Sequence, residues 1–393
     1  MANTFKFGNG NWAVKDGYAL AYNDENNNFK PLPFDFTRAS SATRVNKQGL
    51  VEIVPSGKPR IDFLNNTDGH LLLEPSRTNY VTYSAEGDYG NNPASESNTI
   101  APDGTNTAVI PVPDSNSDRY NYTFSGLDYS TNTKLTYSWF RKRISTPTST
   151  AYLGDLQPNV LVNVTQVGST IQIGSNINGY DRFSATFNVT DGSLSGIIRL
   201  YFGLIIGIGN SSIAYWGHQL EEGSYATSYI PTEGSSVTRV VDDIALTVPD
   251  VDSFNSSSGF SVIAKFDIGA PNLSSSVPFL FFNDDSSDTY IGFGTNATNL
   301  RCRLNLSGTS YLNTQGNAPR TQRNSLFISC NSSGWSQGAN GSTNHTGTNN
   351  ASVFDRLASI TFFTSETYGI IKISELLVYN TRLSNTELQN LTS

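Results

Sequence analysis

Carboxylate side chains are the first candidates for chemistry, and their spacing argues against a hydrolase. Glu221 and Glu222 are adjacent, and successive side chains of a strand point to opposite faces. Two carboxylates that cleave one glycosidic bond must flank it within about 10 Å of each other. Glu74 and Arg77 bracket a proline, a spacing that favours an ion pair over a catalytic use. The sequence therefore predicts no catalytic residues and a protein that is not an enzyme.

The histidines and cysteines are too few and too scattered to predict a metal site. His70, His218 and His345 lie in distant segments, whereas metal ligands that can be recognised in a sequence are closely spaced. Cys302 and Cys330 lie in separate strand-like segments that could be neighbours in one sheet. Buried free thiols are favoured over a disulfide because a cytoplasm is reducing. We therefore expect no metal site and no cofactor, and the pairing of the two cysteines stays open.

Two tryptophans could bind sugars, because the faces of aromatic rings stack on apolar ligand surfaces. Trp335 lies in a segment rich in Ser and Gly. It is also in phase with Gln337 and Ala339 on a predicted strand that ends at the Asn-Gly turn 340–341, a strong hairpin signal, and this phase favours the core. Trp216 lies in an alternating strand, so a core role is favoured there as well.

Strands are the elements predicted to position these side chains. Hydrophobic residues make up 37% of the chain and aromatic residues 11%, and the apolar set is rich in the types that suit a pleated surface. Strand signals such as 134–140 and 260–267 recur about every 8 to 12 residues between turn-forming clusters. A single short helix is predicted at the end, where Ser384 caps 385–391 and Glu387 occupies the capping-box position. The fold class is therefore all-β.

Length and charge narrow the class of protein further. A chain of 393 residues exceeds the roughly 250 to 300 residues that one core supports, so two or three domains are expected. The net charge of -8 disfavours nucleic acid as a partner. We find no apolar run long enough to span a membrane and no basic-then-apolar start, so we expect synthesis in a cytoplasm without export or membrane insertion. Only 15% of residues are charged, a neutral polar composition typical of extracellular and virus-particle surfaces.

Two motifs near the N-terminus carry a first resemblance. The segment 34–52 contains turn residues between two extended stretches and predicts a hairpin, and the sequence LLLEPSRTNY follows at 71–80. Together they resemble a module of bacteriophage tail-fibre and head-fibre proteins. The resemblance implies an N-terminal segment, residues 1–75, that attaches to the virion. The sequence SSATRV at 40–45 returns as SSVTRV at 235–240, which either marks two related joints between domains or reflects two similar strand starts.

Two later segments carry resemblances to sandwich folds. The sequence AYWGHQLEEGSYATSYIPT at 214–232 resembles the closing strand of jelly-roll carbohydrate-binding modules, and ISELLVYNTRLSNTEL at 373–388 resembles the last strand and helix of laminin-G-like and concanavalin-A-like domains. The resemblances imply a jelly-roll sandwich over 76–247 and a concanavalin-A-like sandwich over 248–393.

A glycan site follows from the second of these resemblances. In that family the concave face or the rim loops bind glycans, sometimes with calcium, which makes Asn283, Asp284, Tyr290 and Trp335 the candidate glycan-binding residues. The acidic turn that begins at Asn283 matches no EF-hand spacing, so a solvated turn is favoured over a calcium site.

The leading hypothesis is a virion appendage protein, either a tail fibre, a head fibre or a decoration subunit. We expect it on the virion surface as a homotrimer that contacts other virion proteins through its N-terminal segment and binds glycans of the host surface. A phage polysaccharide depolymerase and a purely structural virion protein are the alternatives. Neither the sugar nor the host can be identified from the sequence.

Overall fold

A computed structural model describes residues 3–20, 33–85, 95–112, 119–125, 133–144, 158–162, 164–190, 197–203, 213–247, 259–269, 277–283, 290–295, 299–306, 309–319, 324–331, 333–348, 359–362 and 369–393. In chain order its first strands are β1 (Asn3–Gly8), β2 (Ala13–Lys15), β3 (Tyr18–Leu20), β4 (Pro33–Thr37), β5 (Ala42–Val45), β6 (Val51–Val54), β7 (Ile61–Asp62), β8 (His70–Leu73), β9 (Arg77–Asn79) and β10 (Ser95–Thr99). The next are β11 (Ala108–Val112), β12 (Arg119–Ser125), β13 (Lys134–Arg143), β14 (Pro158–Val162), β15 (Val164–Ile177), β16 (Tyr180–Val189), β17 (Ile197–Gly203), β18 (Ile213–Glu222), β19 (Val237–Arg239) and β20 (Asp243–Thr247). The last are β21 (Phe260–Ile268), β22 (Val277–Asn283), β23 (Tyr290–Thr295), β24 (Asn299–Leu306), β25 (Thr309–Pro319), β26 (Asn324–Asn331), β27 (Gly334–Ala339), β28 (Ser342–Thr348), β29 (Ser359–Phe362) and β30 (Ile371–Tyr379), followed by the helix α1 (Asn385–Thr392).

Two sheets form a large antiparallel sandwich. Sheet A has the order β28-β27-β26-β21-β30-β8-β7, and β1 also pairs with β30. Sheet B has the order β2-β3-β4-β20-β29-β22-β23-β24-β25. One hydrophobic core contains side chains from both sheets; for example, the rings of Phe7 in sheet A and Phe34 in sheet B are 5.1 Å apart. The all-β fold expected from the sequence is confirmed.

Strand β30 lies at the centre of sheet A. A bulge interrupts the pairing of β30 with β21: Lys265 of β21 pairs with Glu375, whereas the next residue, Phe266, pairs with Ile373. The alternation of inward-facing and outward-facing residues along β30 therefore shifts by one position at the bulge. Ser374 is the extra residue, and a bulge of this kind re-aims the side chains that follow it. The strand β1 approaches closely here: a Cβ on Gly8 would lie 2.3 Å from the carbonyl oxygen of Ser374. The edge of β30 that faces away from β21 pairs with two strands. Strand β8 pairs with the first three residues of β30, and β1 pairs with its second half.

The helix α1 covers the outer face of sheet A. Leu388 is fully buried and packs in a second cluster with side chains such as Ile263, Phe327 and Leu377. The capping box predicted from the sequence is present, since the Ser384 hydroxyl accepts from the Glu387 amide and the Glu387 carboxylate accepts from the Ser384 amide. This second apolar layer explains why β30 is buried on both faces.

Two further sheets account for most of the middle of the chain. Sheet C has the order β10-β11-β18-β13-β16-β15, and sheet D has the order β12-β17-β14. One face of sheet C buries Phe140, Tyr180 and Trp216, and Val45 and Val51 of the β5–β6 hairpin pack against the same cluster. The hairpin predicted over 34–52 is thus present, and it covers part of sheet C.

The sheets divide the chain differently from the boundaries expected at 75 and 247. Strands β1, β7 and β8 belong to sheet A, and β2, β3 and β4 belong to sheet B, so the first 75 residues complete the large sandwich. Strand β20 also belongs to sheet B, between β4 and β29. The expectation of a separate extended N-terminal segment is therefore corrected. The physical reason is that β30 and β20 each need a partner on their second edge.

The two cysteines lie in different sheets, Cys302 on β24 of sheet B and Cys330 on β26 of sheet A, rather than side by side in one. Both are free thiols in the shared core, which confirms the favoured alternative. Burial raises the pKa of both thiols, so neither is predisposed to act as a nucleophile.

Candidate functional site

Eight charged side chains are buried together between the large sandwich and sheet C. They come from the ends of strands that are far apart in sequence, and each is at most 6% exposed. We call them the buried charge cluster, and its members are Arg38, Arg60, Arg77, Arg182, Arg239, Glu74, Glu221 and Asp242. Burial of so many charges is tolerated only where they are paired and hydrogen-bonded.

Glu74 is the centre of the cluster. Its Oε2 accepts from Nη1 of Arg60 at 2.8 Å and from Nη1 of Arg239 at 2.7 Å. The Ser228 amide donates to Oε1 at 2.7 Å, and the Ser228 hydroxyl donates to Oε2 at 2.6 Å. Burial alone would raise the pKa of the Glu74 carboxyl, but Arg239, Arg60 and the two Ser228 hydrogen bonds hold that pKa well below its usual range. Glu74 is therefore a fixed negative charge.

Asp242 forms the second junction. Its Oδ1 accepts from Nη1 of Arg38 at 2.9 Å, and its Oδ2 accepts from Arg60 and from the Glu74 amide, the latter at 2.9 Å. Arg38 and Asp242 are 204 residues apart in sequence, so this contact joins the end of β4 to the start of β20. Both carboxylates are saturated by donors, which assigns them to holding the fold rather than to acid-base chemistry.

A second layer of the cluster surrounds Glu221. Its two oxygens accept from the amide and the hydroxyl of Thr227, both at 2.6 Å. Burial raises the pKa of Glu221, although Thr227, Arg77 and Arg182 oppose that rise. Arg182 donates to the Thr227 carbonyl at 2.7 Å and to the Ser138 hydroxyl at 2.9 Å. Among the described residues, no carboxylate lies within ion-pair distance of Arg182.

Arg77 occupies the other side of this layer. Its guanidinium lies over the ring of Tyr225, 5.0 Å from the centroid, a cation–π geometry. Gly223 has a φ of +133°, and a Cβ there would lie 2.5 Å from Nη2 of Arg77. Only glycine at this position leaves room for the guanidinium. The ion pair expected between Glu74 and Arg77 is replaced by the pairs of Glu74 with Arg60 and Arg239.

Two open clefts lie against the buried charge cluster. The wide cleft has a volume of about 720 Å³, and its walls come from 43–45, 171–177, 224–229 and 370–374, among other segments. The side cleft has a volume of about 500 Å³. Its lining residues are Ser76, Arg77, Thr78, Tyr80, Thr133, Lys134, Glu222, Gly223, Ser224 and Tyr225.

The two clefts are neighbours with different floors. Ser224 and Tyr225 line both of them, Glu74 and Arg182 line the wide cleft, and Arg77 lines the side cleft. Each cleft combines tyrosine rings with hydroxyl groups and charged groups. Tyr225 and Tyr229 are buried, but the partly exposed ring of Tyr80 in the side cleft can stack on the apolar face of a polar ligand while neighbouring hydroxyl and charged groups hydrogen-bond its edge.

Trp216 has the core role that the sequence favoured. It is 2% exposed, its ring lies 4.5 Å from that of Tyr229, and its Nε1 donates to the Thr107 hydroxyl at 3.0 Å. The adjacent carboxylates are separated as expected, since Glu221 is buried and Glu222 is exposed.

The four glycan-binding residues predicted from the sequence are only partly brought together. Asn283 on β22 and Tyr290 on β23 are cross-strand partners in sheet B. Asp284 lies outside the described residues. Trp335 lies on β27 of sheet A, is 8% exposed and packs under Gly347, where a Cβ would be 2.6 Å from its ring. Its ring therefore belongs to the core, the alternative that the sequence favoured, and has little free surface for a sugar.

Sequence reasoning missed the buried charge cluster because arginine and glutamate usually mark exposed surface. The Thr-Arg pair that is repeated in the segments 40–45 and 235–240 could have pointed to the cluster, but its two arginines have different roles. Arg239 is buried against Glu74, whereas Arg44 forms a partly exposed pair with Glu52 at 3.3 Å. The copies do meet, since the Val240 amide donates to the Ser40 hydroxyl at 2.9 Å.

Within the described ranges, no group of three or more His, Cys, Asp and Glu side chains is placed to hold a metal ion. The helix in those ranges is too short and too polar to cross a membrane.

Comparison with known proteins finds likeness in shape alone. No protein-family model matches the chain, and no curated protein matches its sequence. The CBM40 of the Ruminococcus gnavus IT-sialidase is 14% identical with a TM-score of 0.30, over 38% of this chain and 96% of that one. The receptor-binding domain of botulinum neurotoxin C/D mosaic serotype is 13% identical with a TM-score of 0.33, over 39% of this chain and 40% of that one. The Trypanosoma rangeli sialidase is 14% identical with a TM-score of 0.30, over 38% of this chain and 25% of that one. Because these TM-scores are low, the likenesses assign no function to this chain.

Proposed function

We propose that this chain is a non-enzymatic glycan-binding protein of the bacteriophage virion surface. The observation that carries glycan binding is the side cleft, where the partly exposed ring of Tyr80 lies among hydroxyl and charged groups. Sugars present apolar C–H faces and many hydroxyls, and this cleft offers a ring face beside hydroxyl and charged groups. Asn283 and Tyr290, cross-strand partners in sheet B, are a second candidate position for the site, together with Asp284 as predicted from the sequence.

The placement on a virion is supported by the N-terminal and 71–80 motifs and by the neutral polar composition. Because β1, β4 and β8 are built into the large sandwich, we expect attachment to other virion proteins through the exposed surface of these three strands rather than through a free tail.

Self-association as a homotrimer would present several weak sites at once and raise the avidity. Light scattering at micromolar concentration tests the trimer, and a lone stable monomer would contradict it.

Glycan binding is tested on an array of bacterial surface polysaccharides with the intact protein and two matched variants. Tyr80→Ala removes a ring from the side cleft. Tyr83→Ala removes a ring that is 55% exposed and lines neither cleft. Loss of one stacking contact of about 0.5 to 1.5 kcal/mol should weaken binding about twofold to tenfold in the first variant and leave the second unchanged.

Two results would contradict the proposal. If the intact protein binds no polysaccharide, glycan binding is refuted and the purely structural alternative is favoured. If Tyr83→Ala weakens binding as much as Tyr80→Ala, the side cleft is not the site. Unfolding midpoints of both variants identify a loss that comes from misfolding.

A further inference from the structure

Trp12 is the one tryptophan of this chain whose ring is partly exposed. The chain has four tryptophans, all among the described residues, and the other three, Trp139, Trp216 and Trp335, are 1%, 2% and 8% exposed. Trp12 lines neither cleft. Its surface is therefore open to a ligand at a place distinct from the side cleft.

Two contacts fix the ring of Trp12 against the large sandwich. Its Nε1 donates to the carbonyl oxygen of Asp68 at 2.7 Å, and its ring packs edge-to-face with that of Phe7, with centroids 5.2 Å apart. A Cβ on Gly8 would lie 3.1 Å from Cη2 of the indole, so the ring lies directly on strand β1. A ring that is already fixed loses little conformational entropy when a ligand binds.

Two tight turns position polar groups beside the ring. In the first, Asn9 and Gly10 have φ values of 52° and 80°, as a type I′ turn requires, and the Asn9 amide donates to the Ser374 carbonyl at 2.8 Å. In the second, the Asp68 amide donates to Oδ1 of Asn66 at 3.0 Å. A Cβ on Gly10 would lie 3.8 Å from Oδ1 of Asp68, so this carboxylate lies near the first turn.

The polar side chains of these turns are free to bind a ligand. Asn9, Asn11 and Asp68 are exposed, and their side chains make no hydrogen bond or ion pair with the rest of the described chain. The segments 8–12 and 63–69 contribute none of the large apolar side chains that are mostly exposed in that part of the chain. The centre of a protein interface is apolar and depleted of charged groups. One ring among free amides and a carboxylate instead matches a sugar, whose C–H face stacks while its hydroxyls hydrogen-bond.

We propose that Trp12, Asn9, Asn11 and Asp68 form a separate saccharide-binding position, which we call the Trp12 position. This inference rests on the proposed function, since the side cleft and the Trp12 position would take ligands of the same class. The ring supports one face of a sugar unit, and the amides and the carboxylate bind its neighbouring hydroxyls. The sequence gives no motif for this arrangement, because the two turns are more than 50 residues apart.

The test uses the array of bacterial surface polysaccharides with Trp12→Ala and Asp68→Ala. Trp12→Ala should weaken binding about twofold to tenfold through the loss of one stacking contact. Asp68→Ala should weaken it by a similar factor through the loss of one hydrogen bond. The matched control is Asp16→Ala, which removes an exposed, unpaired carboxylate from the turn between β2 and β3 and should leave binding unchanged. Trp12→Ala also loses packing on Phe7, so Asp68→Ala, whose carboxylate holds no other part of the described chain, keeps the test independent of folding.

Acrylamide quenching of tryptophan fluorescence tests the same position in the unchanged protein. Because the other three tryptophans are buried, acrylamide should quench Trp12 most strongly. A polysaccharide that the protein binds on the array should remove most of this quenching in the wild type and none in Trp12→Ala.

The outcomes separate this inference from the proposed function. Unchanged binding by Trp12→Ala and Asp68→Ala, or quenching that bound polysaccharide does not alter, overturns the Trp12 position and leaves the side cleft intact. An equal loss in Asp16→Ala overturns it as well. If the two variants change the oligomer mass in light scattering and not the binding of polysaccharide, the ring belongs to an interface between copies and the Trp12 position is refuted. Absence of binding by the intact protein overturns both proposals.

Discussion

Glu74 joins segments of the protein that are far apart in the sequence. One carboxylate contacts arginines from two segments, Arg60 near β7 and Arg239 on β19, and the loop residue Ser228. A buried pair contributes little net stability compared with an apolar replacement, but removal of one partner leaves the other charge uncompensated. The cluster should therefore be sensitive to single neutralising substitutions.

Glu74→Gln should destabilise the protein by about 3 to 5 kcal/mol, because Arg60 and Arg239 lose a buried counter-charge. Urea unfolding monitored by tryptophan fluorescence measures the change. The matched control is Glu52→Gln, whose carboxylate is 42% exposed and lies 3.3 Å from Arg44. The control should cost less than about 1 kcal/mol. Similar losses in the two variants would contradict a central role for Glu74.

Acid should destabilise the protein in two steps, and His218 is responsible for the first. His218 is 1% exposed, and burial lowers its pKa from 6.5 to about 3. The folded state keeps His218 neutral while the unfolded chain binds a proton below about pH 6.5, so stability falls as pH falls through this window, by up to about 1.4 kcal/mol per pH unit. Glu74, whose folded pKa is depressed, adds its loss only below its unfolded value of 4.5.

The first step is measured as the free energy of unfolding in urea at pH 7, 6 and 5. His218→Gln should be less stable at pH 7, because it loses the 2.7 Å contact of Nδ1 with the Tyr137 hydroxyl. Its stability should nevertheless depend less on pH than that of the wild type. His345→Gln, on β28, is the control and should keep the wild-type slope. An unchanged slope in His218→Gln would refute the assignment.

At the scale of elements, the sequence predicted what is locally encoded. The capping box of Ser384 and Glu387 and the turn at 340–341 are both present. The pairing of β1 with β30 joins residues more than 360 positions apart, and nothing local in either strand specifies its partner. The buried charge cluster was missed for the same reason, since burial of Arg60 depends on carboxylates supplied by distant elements.

Removal of residues 1–75 should abolish folding of the large sandwich. The deletion takes Phe7, Phe34 and 71–73 from the core, leaves one edge of β30 unpaired and removes Glu74 from the cluster. A detachable attachment segment, the expectation from sequence, would instead leave both sandwiches folded. Near-ultraviolet circular dichroism and urea unfolding of 76–393 measure the outcome, and added 1–75 peptide should restore structure. A cooperative transition in the truncated chain alone would favour the detachable segment.

At the scale of the molecule, the buried charge cluster links the large sandwich to sheet C, and both clefts lie along that junction. The wide cleft takes walls from sheet C, from the N-terminal strands and from sheet A. A ligand in this position would contact all three, so binding and the packing of the sandwiches should be coupled. Ligand that binds only the assembled state would raise the free energy of unfolding by about 2.7 kcal/mol at a hundredfold excess over Kd.

Glycan bound to this protein should not be cleaved. Hydrolysis of a glycosidic bond requires an acid and a second carboxylate on either side of it. Glu74 in the wide-cleft floor is held ionised by two arginines, so it has no proton to donate, and Glu221 is fully buried behind Thr227. Glu222 in the side cleft faces away from Glu221. Polysaccharide incubated with the protein should therefore release no new reducing ends and no unsaturated sugar. Steady release of either product that Glu222→Gln abolishes, while polysaccharide stays bound, would establish a depolymerase instead.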